Sequence, residues 1–196
     1  MNLNVSRRIS MFTRRSLIFG LASIALTTGM TPVFAHTKNT KLDPKYNPQT
    51  VKFSGYQPGT VIVDTKQHFL YLQLPGGKAR RYGVGVGRAG LKFKGSATIG
   101  RKAEWPRWTP TKNMIRREPE KYAKFAGGVP GGPGNPLGSR ALYLYRNGKD
   151  TLYRIHGTTQ PSSIGRSVSN GCIRMINAHV EDLFERVPTG ASVVVR

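Results

Sequence analysis

Short apolar runs, broken at close intervals by glycine and proline turns, constrain this chain more than any other feature. Thr60-Val61-Ile62-Val63-Asp64 is bounded by Pro58-Gly59 and by Thr65-Lys66-Gln67, and His68-Phe69-Leu70-Tyr71-Leu72 follows. β-Branched and aromatic residues in runs of this length suit half-buried strands, and the polar break between them reads as a hairpin. Pro75-Gly76-Gly77-Lys78 is a second turn, after which Arg80-Arg81-Tyr82-Gly83-Val84-Gly85-Val86-Gly87 returns. Three strands in meander order therefore open a mainly β domain. Leu142-Tyr143-Leu144-Tyr145 and Thr151-Leu152-Tyr153-Arg154-Ile155 flank Asn147-Gly148, the dipeptide that favours a two-residue hairpin turn.

Between Arg88 and Asn135 the alternation fades. Trp105-Pro106-Arg107-Trp108-Thr109-Pro110 and the glycine- and proline-rich stretch Gly127 to Pro136 argue against regular elements there. A long irregular stretch in a compact domain either lines a site or is a surface excursion. One helix is expected near the end. Ile176, Val180, Leu183, Phe184 and Val187 recur at helical spacing, Asn177 can cap the start, and Pro188-Thr189-Gly190 stops it before a last strand, Ala191 to Val195.

Residues 1–35 stand apart from this pattern. Arg7, Arg8, Arg14 and Arg15 precede an apolar run from Leu17 to Leu26, and Val33-Phe34-Ala35 offers a peptidase site. That is the three-part plan of an export signal, with an apolar core too short for a convincing membrane span. Thr13-Arg14-Arg15-Ser16-Leu17-Ile18 resembles the twin-arginine export motif. The expected organisation is a leader over 1–35, an irregular lead-in over 36–57 and one domain over 58–196. The whole chain carries a formal charge of +22, and loss of the four leader arginines leaves +18. So basic a protein expects anionic surroundings. Export makes nucleic acid a poor candidate and an acidic envelope or cell wall the natural one, in a periplasmic protein expected to be monomeric.

Cys172 is the only cysteine, so no internal disulfide is open to it. His156 stands at the end of a predicted strand, and Ser169-Asn170-Gly171-Cys172 reads as a tight turn. An imidazole can take a thiol's proton and return it to a leaving amine, and N–H groups of a glycine turn can hold an oxyanion. Gly157 would let its carbonyl approach and orient the imidazole. The same residues also suit a buried thiol and an incidental histidine, and the chemistry alone leaves both readings open. The cysteine and histidine spacings match no metal site, and no cofactor is expected.

Ile155-His156-Gly157-Thr158 followed by Ser167-Val168-Ser169-Asn170-Gly171-Cys172-Ile173-Arg174-Met175 resembles the active-site signature of L,D-transpeptidases with the YkuD-type catalytic domain. The similarity extends over most of 58–196, including Gly131-Gly132-Pro133-Gly134-Asn135-Pro136-Leu137-Gly138 and the terminal helix. The resemblance implies a β-sandwich-like domain with the thiol in a cleft. It implies Cys172 as nucleophile on a peptidoglycan tetrapeptide stem, His156 as base and Gly157 as its orienting neighbour. Gly171 and Asn170 would form the oxyanion turn. Arg174, Tyr153, Ser169, Trp105 and Trp108 are expected at the substrate, the two indoles and the 127–138 loop as cleft walls. The acceptor would be an amine, of another stem, a D-amino acid or an outer-membrane lipoprotein. Two alternatives stand beside it: an L,D-carboxypeptidase that passes the acyl group to water, and a cationic envelope-binding protein without activity. Two departures are visible: many relatives have histidine where this chain has Asn170, and often aspartate where it has His179, a residue expected to serve the surface or packing.

Overall fold

The computed structural model describes residues 42–196 apart from Gly90 and Lys92. The expected leader, its twin-arginine motif and the first part of the lead-in lie outside those residues.

The meander expected at the start is present as β2 (Val61–Asp64), β3 (Phe69–Leu74) and β4 (Lys78–Gly83), paired antiparallel with Val61 opposite Leu72 and Leu70 opposite Tyr82. His68, read as strand from its neighbours, instead has φ 59° in the β2–β3 turn. The lead-in is not irregular throughout. Pro44–Tyr46 forms a 3-10 turn, and β1 (Gln49–Lys52) pairs with the free edge of β4. The main-chain groups of an exposed strand edge favour such an addition even from a polar segment with weak alternation.

After a short β5 (Val86–Gly87) the chain enters β6 (Gly95–Glu104), the longest strand, within a stretch where sequence alternation fades. Only Ala97 and Ile99 of it are buried, and a bulge between Ile99 and Arg101 breaks the period of two, so few apolar residues mark it. Two short helices follow, α1 (Lys112–Arg117) and α2 (Pro119–Tyr122), then β7 (Arg140–Arg146) and β8 (Lys149–His156). Asn147 and Gly148 both have positive φ, 51° and 73°, as a primed two-residue turn requires. β9 (Ser167–Ser169), β10 (Ile173–Arg174), α3 (Asn177–Arg186) and β11 (Ser192–Val195) complete the domain.

Nine strands form one sheet in the order β1-β4-β3-β2-β11-β6-β7-β8-β10, and β5 pairs with β9 in a second. Tyr82 from one half of the large sheet and Ile155 and Ile173 from the other belong to one hydrophobic cluster with Val180, Leu183 and Phe184 of α3. The two halves therefore close over a shared core, giving a β-sandwich-like fold in which α3, near the C-terminus, is the only helix longer than two turns among the described residues. Asn177 does not cap that helix. It is the first helical residue, and its side-chain oxygen accepts from the N–H groups of Thr158 (3.1 Å) and Ser139 (3.4 Å).

Candidate active site

Two parallel strands build the site. In β8 and β10, Ile155 is opposite Ile173 and His156 opposite Arg174. Both isoleucines are buried in the core. Because side chains alternate along a strand, His156 and Arg174 turn to the other face, and so do Arg154 and Cys172, each two residues earlier. Cys172 precedes β10 by one residue. Its sulfur lies 4.0 Å from the Leu152 carbonyl oxygen. Leu152 has φ 64° at a bulge in β8, and such bulges re-aim neighbouring groups. Thiol and imidazole thus share a face and share the guanidinium neighbours Arg154 and Arg174.

His156 is buried, and its Nδ1 meets the Gly157 carbonyl oxygen at 2.5 Å. With the proton on Nδ1, the lone pair is on Nε2. Gly157 allows this close turn. A Cβ there would stand 2.2 Å from Asn177 Oδ1 and 3.1 Å from the Ser139 nitrogen. Burial pushes the imidazole down to about 4, and the charges of Arg174 and Arg154 add to the effect, against the Gly157 and Leu137 carbonyls. Burial of its sulfur pushes the Cys172 thiol up, opposed first by the Arg154 N–H and then by the two guanidinium charges. Near neutral pH the resting pair is an uncharged imidazole and an uncharged thiol. Cys172 is partly exposed as a residue, although its sulfur is turned inward.

The turn before the cysteine is closed by Ser169. Its hydroxyl donates to the Cys172 carbonyl (2.6 Å) and accepts from the Gly171 N–H (3.1 Å). That occupies the Gly171 donor expected for an oxyanion, whereas the Cys172 N–H has no protein acceptor among the described residues. Gly171 has φ 123°, and a Cβ there would strike the Tyr153 ring at 2.5 Å. Tyr153 lies against the turn, packed on Phe93 and the core and partly buried. Ser169 is likewise buried in the turn. Arg174 extends along the site to Gln160 Oε1 at 3.1 Å.

The wall residues divide. Trp105 is 45% exposed. Trp108 instead packs edge-on against Tyr122 and Phe125, with a backbone bridge to Val129. Tyr122 reaches the Ser169–Cys172 turn, its hydroxyl accepting from Asn170 Nδ2 at 2.7 Å. Arg88 and Arg117 both donate to Asn170 Oδ1, at 3.2 and 3.1 Å. Sequence reasoning missed Arg154, Arg88, Arg117, Tyr122 and Asn177 as neighbours of the site. Arg154 could have been found from its offset of two from His156 on a strand. The others meet the site through tertiary contacts alone. Among the described residues no three His, Cys, Asp or Glu side chains converge as a metal site would need.

Comparison with known proteins adds four findings. The family model for the L,D-transpeptidase catalytic domain, YkuD, matches residues 58–195. An Escherichia coli protein named "Probable L,D-transpeptidase ErfK/SrfK" is 36% identical over 138 residues, 69% of this chain and 43% of the relative, so the chain spans less than half of that protein's length. A Brucella melitensis crystal structure named "Probable carnitine operon oxidoreductase caia" is 59% identical, covering 79% of this chain and 96% of that one, with a TM-score of 0.55. L,D-transpeptidase 3 from Mycobacterium tuberculosis, 16% identical over 70% of this chain and 60% of its own, has a TM-score of 0.52 and shares the fold. The Brucella name denotes another chemistry. Gly85, Gly87 and Gly90 do have the spacing of a dinucleotide-binding turn, but Val86–Gly87 in its midst is strand, and the next described element is β6. The turn that holds a pyrophosphate opens a helix instead.

Proposed function

The chain belongs to the L,D-transpeptidase catalytic-domain family, and from that premise we propose that it transfers acyl groups between peptidoglycan stem peptides outside the cytoplasm, through a thioester on Cys172. His156 Nε2 takes the thiol proton as sulfur attacks the carbonyl carbon of the donor bond. The tetrahedral oxyanion is met by the Cys172 N–H. On collapse of the intermediate the C–N bond breaks, and the imidazolium returns its proton to the departing D-amino acid. An amine acceptor then attacks the thioester, its proton passes to His156, and the thiol is restored. The acceptor is another stem, a free D-amino acid or a lipoprotein lysine; water in its place gives the carboxypeptidase outcome.

The observation that carries this reading is the shared face of β8 and β10. There the imidazole, fixed by the Gly157 carbonyl, and the thiol have the guanidinium groups of Arg154 and Arg174 as common neighbours, which supports the reading. A raised thiol pKa beside a depressed imidazole argues for proton transfer during attack, not for a thiolate held in advance. The strongly positive chain suits a wall rich in carboxylates. The test is mass spectrometry of muropeptides after sacculi meet the enzyme or its Cys172→Ala variant, with and without a D-amino acid. New cross-links or exchanged termini that vanish in the variant are expected. Shortened stems without exchange would reassign the enzyme as a hydrolase, and sacculi left unchanged by the intact enzyme would overturn the proposal.

A further inference from the structure

The helical segment between β6 and β7 is fastened to the Ser169–Cys172 turn at Asn170, and the charge balance there is unusual. Two guanidinium groups, Arg88 and Arg117, converge on one neutral amide oxygen at 3.2 and 3.1 Å. Arg88 also pairs with Glu118 Oε1 at 2.5 Å. Arg117 meets no carboxylate, and all nine acidic residues of the chain fall within the described residues. Both arginines are exposed. The backbone beside them is tightly held. The Arg88 N–H donates to the Ser169 carbonyl at 3.1 Å, and a Cβ on Gly87 would lie 2.8 Å from Gly171 Cα. The Tyr122 hydroxyl that anchors Asn170 also lies within electrostatic reach of Arg174, which in turn reaches Cys172.

A structural fastening alone would be better served by aspartate at 170, which would neutralise the pair and strengthen both hydrogen bonds. Asparagine keeps the geometry and leaves the positive charge for something else. Histidine could not hold this arrangement, since its ring offers one acceptor at most and, once protonated, would be repelled by both guanidinium groups.

We propose that Arg88 and Arg117 form a carboxylate-reading subsite beside the nucleophile, with Asn170 as the neutral post that spaces them. The inference rests on Cys172 being the accessible nucleophile of the proposed function. The ligand is a free carboxylate of the donor, either at its terminus or on the side chain of its diamino acid.

The probes are iodoacetate and iodoacetamide, reagents of near-equal size that differ in one negative charge, used on the only thiol of the chain. Relative to a small neutral thiol, the enzyme is expected to favour the anionic reagent by roughly tenfold. Arg117→Gln and Asn170→Asp should each remove most of that preference, roughly fivefold or more. Arg116→Gln, an equal charge change on the same helix at a residue bonded to Asn113, should keep it. Preference retained in Arg117→Gln overturns the subsite. So does equal loss in Arg116→Gln, which would mark a diffuse field. Loss in Arg117→Gln with retention in Asn170→Asp overturns it too, because fastening of the helices would then be the whole role. A thiol inert to both reagents would instead strike at the nucleophile assignment. Tetrapeptide donors amidated at one or the other carboxylate then identify the source: the amidation that abolishes the Arg117 dependence of exchange marks the carboxylate read.

Discussion

The strand pair β8/β10 and the segment between β6 and β7 border the same thiol but are held by different means. Cys172, His156, Arg154 and Arg174 owe their common face to strand register, with Ile155 and Ile173 locked into the core behind them. The 105–138 segment contributes nothing to that core beyond its edge. It is held by its own cluster of Trp108, Tyr122 and Phe125, by polar contacts to Asn170, and by the Asn135 side chain, which donates to the Val129 and Pro130 carbonyls. Under the proposed function, bond-making belongs to the rigid element and recognition to the side-chain-fastened one, where changes in the donor can be met without moving the reacting atoms.

The sharpest way to break this division is on the rigid side. His156→Gln keeps a side chain able to bond the Gly157 carbonyl but removes the proton acceptor. Exchange on a tetrapeptide donor is expected to fall about a thousandfold, in the range of lost general base catalysis, with donor affinity little changed. Affinity lost in step with rate would show that the imidazole also serves recognition.

Next in size is Gly157→Ala. The added methyl would sit 2.2 Å from Asn177 Oδ1, so either the helix start or the carbonyl that fixes His156 has to shift. A rate loss of about a hundredfold is expected, with about 1–3 kcal/mol of stability. Asn177→Ala in the same chain removes the obstructing oxygen and should recover part of both, a coupling that unrelated sites would not show.

Acid should reveal the buried imidazole in stability as well as in rate. His156 titrates near 4 in the folded protein against about 6.5 unfolded, so between those values the unfolded chain binds the extra proton. Stability from this group is therefore complete above pH 6.5 and declines as pH falls towards 4, by about 3 kcal/mol. Denaturant titrations of the parent and of His156→Gln should differ in slope against pH across that window, the variant being flatter. Parallel slopes would mean that the imidazole is solvated.

These effects also mark what could be read before any coordinates. Strand alternation, the Asn147-Gly148 turn and the period of α3 are local patterns, and the His156 and Cys172 positions follow from them together with the family likeness. Even there one local signal misled. Asn177 looked like a cap because asparagine favours that position, while its oxygen serves two loop N–H groups distant in sequence. β6 left a weak trace because only two of its side chains are buried. Arg88, Arg117 and Tyr122 left none. Their distances from Asn170 along the chain span tens of residues, and what joins them is hydrogen bonding across irregular backbone, which has no period.

The smallest expected effect tests the other half of the comparison. Trp108→Ala removes the ring against which Tyr122 and Phe125 pack edge-on, and so loosens the support of the Tyr122–Asn170 bond while leaving β8 and β10 untouched. If recognition belongs to this segment, KM for a tetrapeptide donor should rise about tenfold, the cost of misplacing a few polar contacts. The turnover number and the rate of Cys172 alkylation by neutral iodoacetamide should both stay within about threefold, since neither requires the Trp108 cluster. Global stability should drop by about 1–2 kcal/mol only, because this cluster is separate from the main core. A fall in thiol reactivity as large as the rise in KM would show that the helices hold the nucleophile turn itself in place, and the division between a chemical element and a recognising one would then fail at Asn170.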